Sequence, residues 1–359
     1  MNETELKKYR DDIDGIDRKI IELLNQRCLA VKNIGELKNA ANAPVFVPER
    51  ERAVFERLDA ANTQGLLTPA ALRAVYREIM AAARELERPL RVAFLGPEGT
   101  FTHEAACAKF SHQTAFMPER TIYDVFAAVE CNRADYGCVP VENSTEGVVT
   151  STLDRLFNST LKICNEIFLP VHHHLAGYGP IAAIKKIYSH RQALGQCHNF
   201  LQEHCHQAEL LETASTAQAA QMALESGSEC ACLCGGAAVE LTGIPVLMAN
   251  VEDSASNTTR FLVLGKQETN PTGNDKTSLC LGMPDRAGAL YQALEPFKNA
   301  KISMTMIESR PGKVSAFEYC FFVDIIGHRL DKPVQEALRA ASGICSFVKV
   351  LGSYPRGND

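Results

Sequence analysis

Several charged side chains occupy positions where a predicted helix should carry apolar residues, and such charges could line a polar cavity. The apolar stripe that includes Ile20, Val31 and Ile34 also contains Arg27 and runs on to Lys38. Eleven residues at about 100° each place Arg27 and Lys38 within roughly 20° of each other around the helix. Because an unpaired buried charge is costly, the pattern indicates either a polar cavity inside a helical bundle or structural salt bridges with snorkelling side chains.

Further charges lie on the inner faces of the two helices that follow. Glu51 precedes Leu58 by seven residues on the inner face of the second helix, and Arg50 lies beside it. The apolar stripe of the third helix leads to Glu87. Basic and acidic groups turned inward from three helices leave the same two alternatives open, a polar cavity or a salt-bridged core.

Polar residues also mark the ends of two apolar runs that we interpret as strands. In VPVENSTEG the strand ends at Asn143 and Ser144, and in NTTRFLVLG the residues Thr259 and Arg260 precede a buried run. Side chains at these positions would line the mouth of a cleft. The alternatives are a helix cap at Ser144 and a loop with a surface arginine at Arg260.

A glycine turn, GPEGT at residues 96–100, joins an apolar strand to a predicted helix. No lysine follows the second glycine and the spacing is not G-x-G-x-x-G, so the nucleotide-binding fingerprints are absent. A small carboxylate could bind the N–H groups that open the helix. The alternative is a tight turn with Thr100 or Thr102 as the helix cap.

Composition narrows the class of protein. The 359 residues carry a formal net charge of −6 with no basic block, so nucleic acid is not expected as a partner. The sequence shows no secretory signal and no apolar run long enough to span a bilayer, so we predict a cytoplasmic protein without a membrane partner. The 13 cysteines are scattered and are expected to be reduced thiols.

Histidine-rich segments raise the question of a metal site. VHHHL contains His172, His173 and His174, and HNFLQEHCHQ contains three further histidines. Neither segment pairs with a second cluster at ligand spacing, so no metal is predicted.

The hydrophobic pattern divides the chain into three parts, each with its own kind of secondary structure. Residues 5–88 have the 3.6-residue period of helices, and the first helix, at roughly 35 residues, would be a rod of about 50 Å. A rod of that length cannot bury its stripe within so small a unit, so pairing with a second chain is expected. From Arg91 short apolar runs alternate with helical ones, which is typical of an α/β domain.

The last part of the chain has its own order of elements. Residues 267–276 are polar with Pro and Gly and are predicted to be a linker. From Thr277 the order strand, helix, strand, strand, helix, strand predicts a ferredoxin-like α+β domain. We therefore predict a multidomain chain, with domains at residues 1–89, 90–266 and 277–359.

The N-terminal pattern resembles the all-helical chorismate mutase domain across residues 5–88, and LLNQR, VKNIGELK and PVFVPERE carry the match. That family rearranges chorismate to prephenate without a nucleophile, metal or cofactor. The resemblance implies that Arg10 and Arg27 bind carboxylates, with Arg10 reaching the site of a partner chain in a homodimer. It further implies the following roles: Lys38 and Glu87 donate to the ether oxygen, Glu51 holds the ring hydroxyl, and Arg50 lies beside it in the chorismate site.

Residues 91–265 resemble prephenate dehydratase through GPEGTF, VPVENSTEG, YSHRQALGQC, STAQAA and NTTRFLVLG. The family fold is two α/β lobes around a cleft, similar to a periplasmic binding protein. The resemblance implies that Thr259 assists departure of the ring hydroxyl as CO₂ leaves prephenate. The other residues implied to bind prephenate are Thr100, Asn143, Ser144, Ser189, Gln196 and Arg260.

The C-terminal part resembles the ACT regulatory domain through GALY and ESRP. These signatures imply a phenylalanine site that comprises Gly288, Ala289, Leu290, Glu308, Ser309 and Arg310. Two positions depart from the usual pattern, since Tyr291 replaces a valine and Ser303 replaces an asparagine. Both departures bear on the affinity for phenylalanine.

Together the resemblances imply a bifunctional enzyme that converts chorismate through prephenate to phenylpyruvate and is inhibited by L-phenylalanine. Two alternatives stay open. The dehydratase could prefer arogenate, or the binding lobes and the ACT domain could form an amino-acid sensor without activity. The inward charges and the TTRF segment argue against the sensor.

Overall fold

The computed structural model of the chain describes residues 3–40, 47–63, 65–85, 90–110, 114–284, 286–311 and 319–357. It divides into two compact units. The first comprises Met1–Val47, Ala53–Leu90 and Phe110–Ala115, and the second comprises Pro48–Arg52, Arg91–Lys109 and Phe116–Asp359.

The first unit is helical, as its period predicted. Its helices are α1 (Glu3–Ala40), α3 (Pro69–Glu85) and the greater part of α2 (Pro48–Ala61), whose first residues, Pro48–Arg52, belong to the second unit. A proline opens both α2 and α3, because its fixed φ suits the first helical turn and its missing N–H costs nothing there. The 38 residues of α1 correspond to a rod of about 57 Å.

One face of α1 carries large apolar side chains in contact with solvent. Tyr9, Ile13, Ile16, Ile20 and Leu23 follow one another at alternating steps of four and three, and they are 47–63% exposed. This spacing is the apolar seam of a helix that pairs with another helix. A single chain does not cover the seam.

The second unit holds the remaining elements. In chain order its helices and strands are β1 (Arg91–Leu95), α4 (Phe101–Phe110), β2 (Ala115–Glu119), α5 (Ile122–Glu130), β3 (Tyr136–Asn143), β4 (Gly147–Val148), α6 (Thr150–Asn158), β5 (Lys162–Pro170), β6 (His174–Gly177), β7 (Lys186–Ser189), α7 (Arg191–Gln196), α8 (His198–His204), β8 (Glu209–Glu212), α9 (Thr216–Ser226), β9 (Cys230–Cys234), α10 (Gly236–Thr242), β10 (Val246–Met248), β11 (Thr258–Gly265), β12 (Asp275–Met283), α11 (Ala289–Asn299), β13 (Met304–Pro311), β14 (Tyr319–Ile326), α12 (Lys332–Ser342) and β15 (Phe347–Pro355).

Two sheets form the two α/β lobes that the sequence predicts. The first sheet has the order β2-β1-β3-β11-β5, with β4 paired to β3, and the second has the order β10-β6-β9-β7-β8. Strand β11 returns from the second lobe to the first and lies antiparallel between β3 and β5. The chain therefore crosses between the lobes, and the residues just before β11 lie where the lobes meet.

The C-terminal elements form the predicted ferredoxin-like domain. Its antiparallel sheet has the order β13-β14-β12-β15, and α11 and α12 bury Ala293, Phe297, Val334 and Ala337 in one core with that sheet. Strand β12 begins at Asp275, two residues before the predicted start of the domain.

The described helices include none with an apolar stretch of the length needed to span a bilayer.

Candidate active site

A cavity of about 510 Å³ opens between the two lobes of the second unit. Its walls include the turn at Gly96 and Thr100, the end of β3, the start of β11 and the N-terminal ends of α4 and α9. The glycine turn therefore forms part of the cavity wall. A second cavity of about 670 Å³ continues the first outward, because Glu146, Gln196 and Asn257 line both.

Thr259 lies at the floor of this cavity, held by its neighbour strand. In the register of β11 with β3, Thr259 lies opposite Asn143. The Asn143 amide Nδ2 donates to Thr259 Oγ1 at 2.8 Å. Since an amide nitrogen only donates, the threonine oxygen is the acceptor, and its own proton stays available to donate. Among the residues the structure describes, nothing accepts that proton, so Thr259 can offer it to a ligand.

Asn143 supports Thr259 and has no hydrogen-bonding capacity left for a ligand. Its Oδ1 accepts from the backbone N–H groups of Thr145 and Glu146, both at 3.0 Å. Its Nδ2 donates to Thr259 Oγ1 and to Asn257 Oδ1, each at 2.8 Å. An amide side chain has two donors and two lone pairs, and all four are used. The predicted direct contact of Asn143 with substrate is therefore replaced by a supporting role.

Three other residues that were predicted to bind prephenate have different surroundings in the structure. Gln196 lines both cavities. Thr100 lines the main cavity, but its hydroxyl donates to Pro97 O at 2.9 Å and accepts from His103 N, which is the capping alternative. Ser144 is exposed, and its hydroxyl bonds to the backbone of Ser256 and Thr258. Of these three side chains, Gln196 alone has a polar group, its Nε2, without a partner in the described part of the chain.

Ser189 does not reach the cavity. It is fully buried, and its hydroxyl donates to Leu233 O at 2.8 Å across the second sheet. The predicted substrate contact of Ser189 is not supported by this geometry, because the side chain of the last residue of β7 points into the sheet layer.

Arg260 also lies away from the cavity, which corrects its predicted substrate contact. Successive side chains of a strand point to opposite faces, so Arg260 turns away from the cleft that Thr259 faces. Its Nε pairs with Glu166 at 2.8 Å, its Nη1 with Asp324 at 2.6 Å, and its Nη2 donates to Tyr354 at 3.0 Å. The side chain is a buried junction between the first lobe and the C-terminal sheet.

Negatively charged and polar neighbours determine the direction in which the pKa of Arg260 shifts. Burial lowers the pKa of Arg260, but Tyr354, Asp324 and Glu166 together outweigh it and raise the net value above the ordinary one. Lys276 joins the cluster through Glu166 at 2.8 Å. We call Arg260, Glu166, Asp324, Lys276 and Tyr354 the Arg260 cluster.

Glu146 lines both cavities and Arg191 lines the outer one, but no lysine or arginine is among the described residues that line the main cavity. The N-terminal ends of α4 and α9 reach its wall instead, at Phe101 and Thr216. Their unpaired N–H groups and partial positive charge suit a carboxylate.

Two residues of the cavity were missed by sequence reasoning. His173 is 2% exposed, packs edge-on against the Phe101 ring at 5.4 Å, and its Nε2 lies 2.9 Å from Gln196 Oε1. Asn257 donates from Nδ2 to the same oxygen at 3.1 Å. Burial lowers the pKa of His173. The VHHHL run drew attention as a metal candidate, and the signal for Asn257 was its place just before the Thr259 strand.

The predicted chorismate residues fall on α1 and α2. Arg27 is half-buried, and its Nη1 is buried without a hydrogen-bond partner in the described part of the chain, whereas Arg10 is exposed. Lys38 is half-buried and Arg50 is exposed. Arg10 and Arg27 are 17 residues apart, which is about 100° around one helix, so they face different directions.

Of the two carboxylates of the predicted chorismate site, the structure describes one. The Glu51 carboxylate is 8% exposed and pairs with Lys109 at 3.0 Å, so its contact with a ring hydroxyl stays a prediction. Glu87 lies outside the described residues.

The predicted phenylalanine residues lie at the start of α11 and along β13. Gly288 caps α11 with φ at +79°, in the left-handed region that favours glycine, and Ala289 is buried beneath it. Leu290 and Glu308 are half-buried and Ser309 is exposed. Arg310 pairs with Asp154 of α6 at 3.2 Å, so its guanidinium is engaged by the first lobe.

Three family models match the chain in order. They are chorismate mutase type II at residues 9–88, prephenate dehydratase at residues 92–269 and the ACT domain at residues 277–343. A bifunctional chorismate mutase/prephenate dehydratase of Aquifex aeolicus is 45% identical over 98% of both chains, and the one of Neisseria gonorrhoeae is 44% identical over 97% of this chain and 96% of its own.

A solved structure matches the second unit. The prephenate dehydratase of Arthrobacter aurescens, in complex with L-Phe, is 32% identical with a TM-score of 0.69, covering 74% of this chain and 90% of that chain.

Proposed function

This chain belongs to the bifunctional chorismate mutase/prephenate dehydratase family, and we propose that it rearranges chorismate to prephenate and then converts prephenate to phenylpyruvate. Residues 1–89 would carry the first reaction and residues 90–266 the second. After a linker at 267–276, residues 277–359 would regulate the dehydratase.

The observation that carries the dehydratase assignment is the Thr259 hydroxyl in the wall of the main cavity, whose proton no described residue accepts. In the reaction the bond to the ring carboxylate breaks, its electron pair makes the ring aromatic, and the ring hydroxyl leaves. Prephenate is a dianion, so the products are phenylpyruvate, CO₂ and hydroxide, which takes one proton to become water. Thr259 would donate a hydrogen bond to the departing oxygen, and solvent supplies the proton because threonine is too weak an acid.

Prephenate has two carboxylates, and the site offers N–H groups for them. The ends of α4 and α9 would hold one carboxylate, and the Gln196 amide would donate to the other. The competing assignment, arogenate, differs in carrying an ammonium group. Rates with prephenate and arogenate at equal concentrations separate the two substrates.

The mutase step needs a pocket that holds a compact dicarboxylate and stabilises charge on the breaking ether oxygen. Arg27, whose buried Nη1 has no partner among the described residues, would bind one carboxylate, and Lys38 and the protonated carboxyl of Glu87 would donate to the ether oxygen. A coupled assay that supplies chorismate and detects phenylpyruvate tests the whole proposal. Formation of prephenate without phenylpyruvate would remove the dehydratase assignment, and no turnover of chorismate would remove the mutase assignment.

We further propose that the enzyme is a cytoplasmic homodimer that pairs through α1. The exposed seam from Tyr9 to Leu23 supports this pairing, because burying five large apolar side chains is favourable. The different directions of Arg10 and Arg27 fit an active site to which Arg10 comes from the partner. All 13 cysteines are free thiols, which suits a reducing compartment.

Mixing two inactive variants tests the shared mutase site. We expect Arg10→Ala and Arg27→Ala each to lose most mutase activity, and equal mixtures, refolded together, to recover about one quarter of the wild-type rate. Random pairing makes half of the dimers mixed, and each mixed dimer has one site with both arginines. Arg27→Ala mixed with Lys38→Ala is the matched control, because both residues come from the same chain of the proposed site and no mixed dimer regains a complete site. Recovery no greater than the sum of the separate variants would place Arg10 and Arg27 in a single-chain site or in none.

L-Phenylalanine is expected to lower the dehydratase rate by binding near Gly288. A β-carbon at Gly288 meets open space but strains a positive φ, so Gly288→Ala should shift the helix cap and weaken inhibition several-fold. Gly273→Ala introduces the same strain at φ +85°, also in open space, and serves as the control. The measurements are inhibition curves and calorimetry. Absence of heat from phenylalanine binding to the wild-type enzyme contradicts the regulatory role.

A further inference from the structure

Hydrogen bonds in the cleft join Asn143, Asn257, Gln196 and His173 into one chain with a fixed direction. Backbone N–H groups only donate, so the two that bond to Asn143 at 3.0 Å identify that atom as Oδ1. The Asn143 Nδ2 therefore donates to Asn257 Oδ1 at 2.8 Å. Asn257 is left with its own Nδ2 toward Gln196, where it donates to Oε1 at 3.1 Å.

The direction of these hydrogen bonds determines which ring nitrogen of His173 carries the proton. Gln196 Oε1 accepts from Asn257, and the same oxygen lies 2.9 Å from His173 Nε2. A carbonyl oxygen cannot donate, so His173 Nε2 carries the proton. His173 Nδ1 is buried without a hydrogen-bond partner among the described residues. The hydrogen bond to Gln196 thus places a proton on Nε2, and burial, which lowers the pKa of His173, favours the neutral imidazole with Nδ1 unprotonated.

The same chain orients Gln196. With Oε1 engaged by two donors, the amide nitrogen Nε2 is left on the cavity side, and it has no partner in the described part of the chain. Flipping the amide would lose both hydrogen bonds and turn a carbonyl oxygen toward the ligand. No cationic side chain is among the described residues that line the main cavity, and an amide oxygen, which only accepts, would repel a carboxylate there.

We propose that His173 and Asn257 are positioning residues that lock the Gln196 amide with its N–H groups toward a substrate carboxylate. This inference rests on the proposed dehydratase function. Neither residue touches the reacting atoms, and each acts through Gln196. His173 thereby takes the place of a charged residue: it does not bind the anion, but it fixes the donor that does.

The substitution Asn257→Asp should reverse the direction of the hydrogen bonds from residue 257 through Gln196 to His173, and it is the decisive test. Aspartate still accepts from Asn143 but cannot donate to Gln196, so the Gln196 amide should flip and donate from Nε2 to both Asp and His173. His173 must then accept at Nε2, and its proton moves to Nδ1. In ¹⁵N spectra of histidine-labelled protein, we expect Nε2 of His173 protonated in the wild type and Nδ1 protonated in Asn257→Asp. His173→Gln identifies the signal, and Asn158→Asp, an exposed site on α6, controls for the added charge.

Steady-state kinetics of the variants distinguish the loss of a positioning residue from a general loss of folded protein. The KM for prephenate should rise about tenfold or more in Asn257→Asp and His173→Leu, because a hydrogen bond to a charged group is lost, while kcat changes less. His173→Gln keeps an N–H donor at similar reach and should stay within about threefold of wild type.

The outcomes distinguish the inference from the function it rests on. A wild-type protein that does not convert prephenate overturns the proposed function, whatever the spectra show. A protein that converts prephenate but holds His173 protonated at Nδ1, or keeps its tautomer in Asn257→Asp, overturns the inference. Equal KM values for His173→Leu and His173→Gln also overturn it.

Discussion

Thr259→Val abolishes phenylpyruvate formation and leaves the mutase reaction intact, so that prephenate accumulates from chorismate. Valine matches threonine in shape but has no hydroxyl, and Asn143 loses only an acceptor. The departing ring oxygen loses the donor that Asn143 holds in place at 2.8 Å. Removing one such preorganised donor slows comparable reactions by about 10²–10³-fold, and we expect a loss in dehydratase kcat of at least that size.

Thr259→Ser is the matched control, because serine keeps the oxygen and the proton at the same position. It should retain most of the activity, reduced several-fold by the freer rotation of a hydroxyl without a neighbouring methyl group. The measurement is single-turnover conversion of prephenate by each variant, with mutase rates from the same preparations. Thr259→Val with a kcat close to that of the wild type means that the hydroxyl does not assist departure of the leaving group.

Arg260→Met should destabilise the second unit by about 3–5 kcal/mol, because it leaves the buried carboxylates Glu166 and Asp324 without their common partner. Lys276 still pairs with Glu166 at 2.8 Å, so the larger part of the loss falls on Asp324. The Arg260 cluster joins β11 to β14 and β15. The loss should therefore appear in the unfolding of both the first lobe and the C-terminal domain.

Arg133→Met is the control, since Arg133 is 50% exposed and pairs with Glu119 at 2.7 Å on the surface. A surface pair contributes about 0–1 kcal/mol, so this variant should change little. The measurement is the midpoint of urea unfolding, followed by hydrogen exchange of β11 and β14. Equal midpoints for the two variants contradict a structural role for the Arg260 cluster.

The position of the Arg260 cluster has a consequence for regulation. Arg260 directly follows Thr259 on β11, and its guanidinium is held by side chains of the C-terminal sheet. A shift of that sheet on phenylalanine binding would therefore act one residue from the proposed catalytic hydroxyl. Inhibition measured in Arg260→Lys, which keeps the charge but loses the forked donor, reports on this link.

The helical first part, the α/β middle part and the ferredoxin-like order of the last part could be predicted from the sequence, whereas short strands such as β4 and β8 could not. Local rules fix these features: a proline opens α2 and α3, the 3.6-residue period marks the helices, and the alternation of strands and helices after Thr277 specifies the ferredoxin-like domain. The motifs around Asn143 and Thr259 also identified the two strand ends that form the cavity floor. Such signals lie within short segments, so no tertiary contact is needed to read them.

Which polar residues face the cavity depends on how distant elements pack together, and the sequence does not show this. Alternation along β11 shows that Thr259 and Arg260 face opposite ways, but which face meets the cavity depends on how the lobes and the C-terminal sheet cover it. Ser189 has the same polar character as Thr259 and is fully buried. The supporting role of Asn143 follows from its hydrogen bonds to Asn257 and Thr259, which lie 114 and 116 residues away along the chain. Hydrogen-bond partners 61 and 114 residues apart along the chain, such as those of Asn257, leave no local pattern in the sequence.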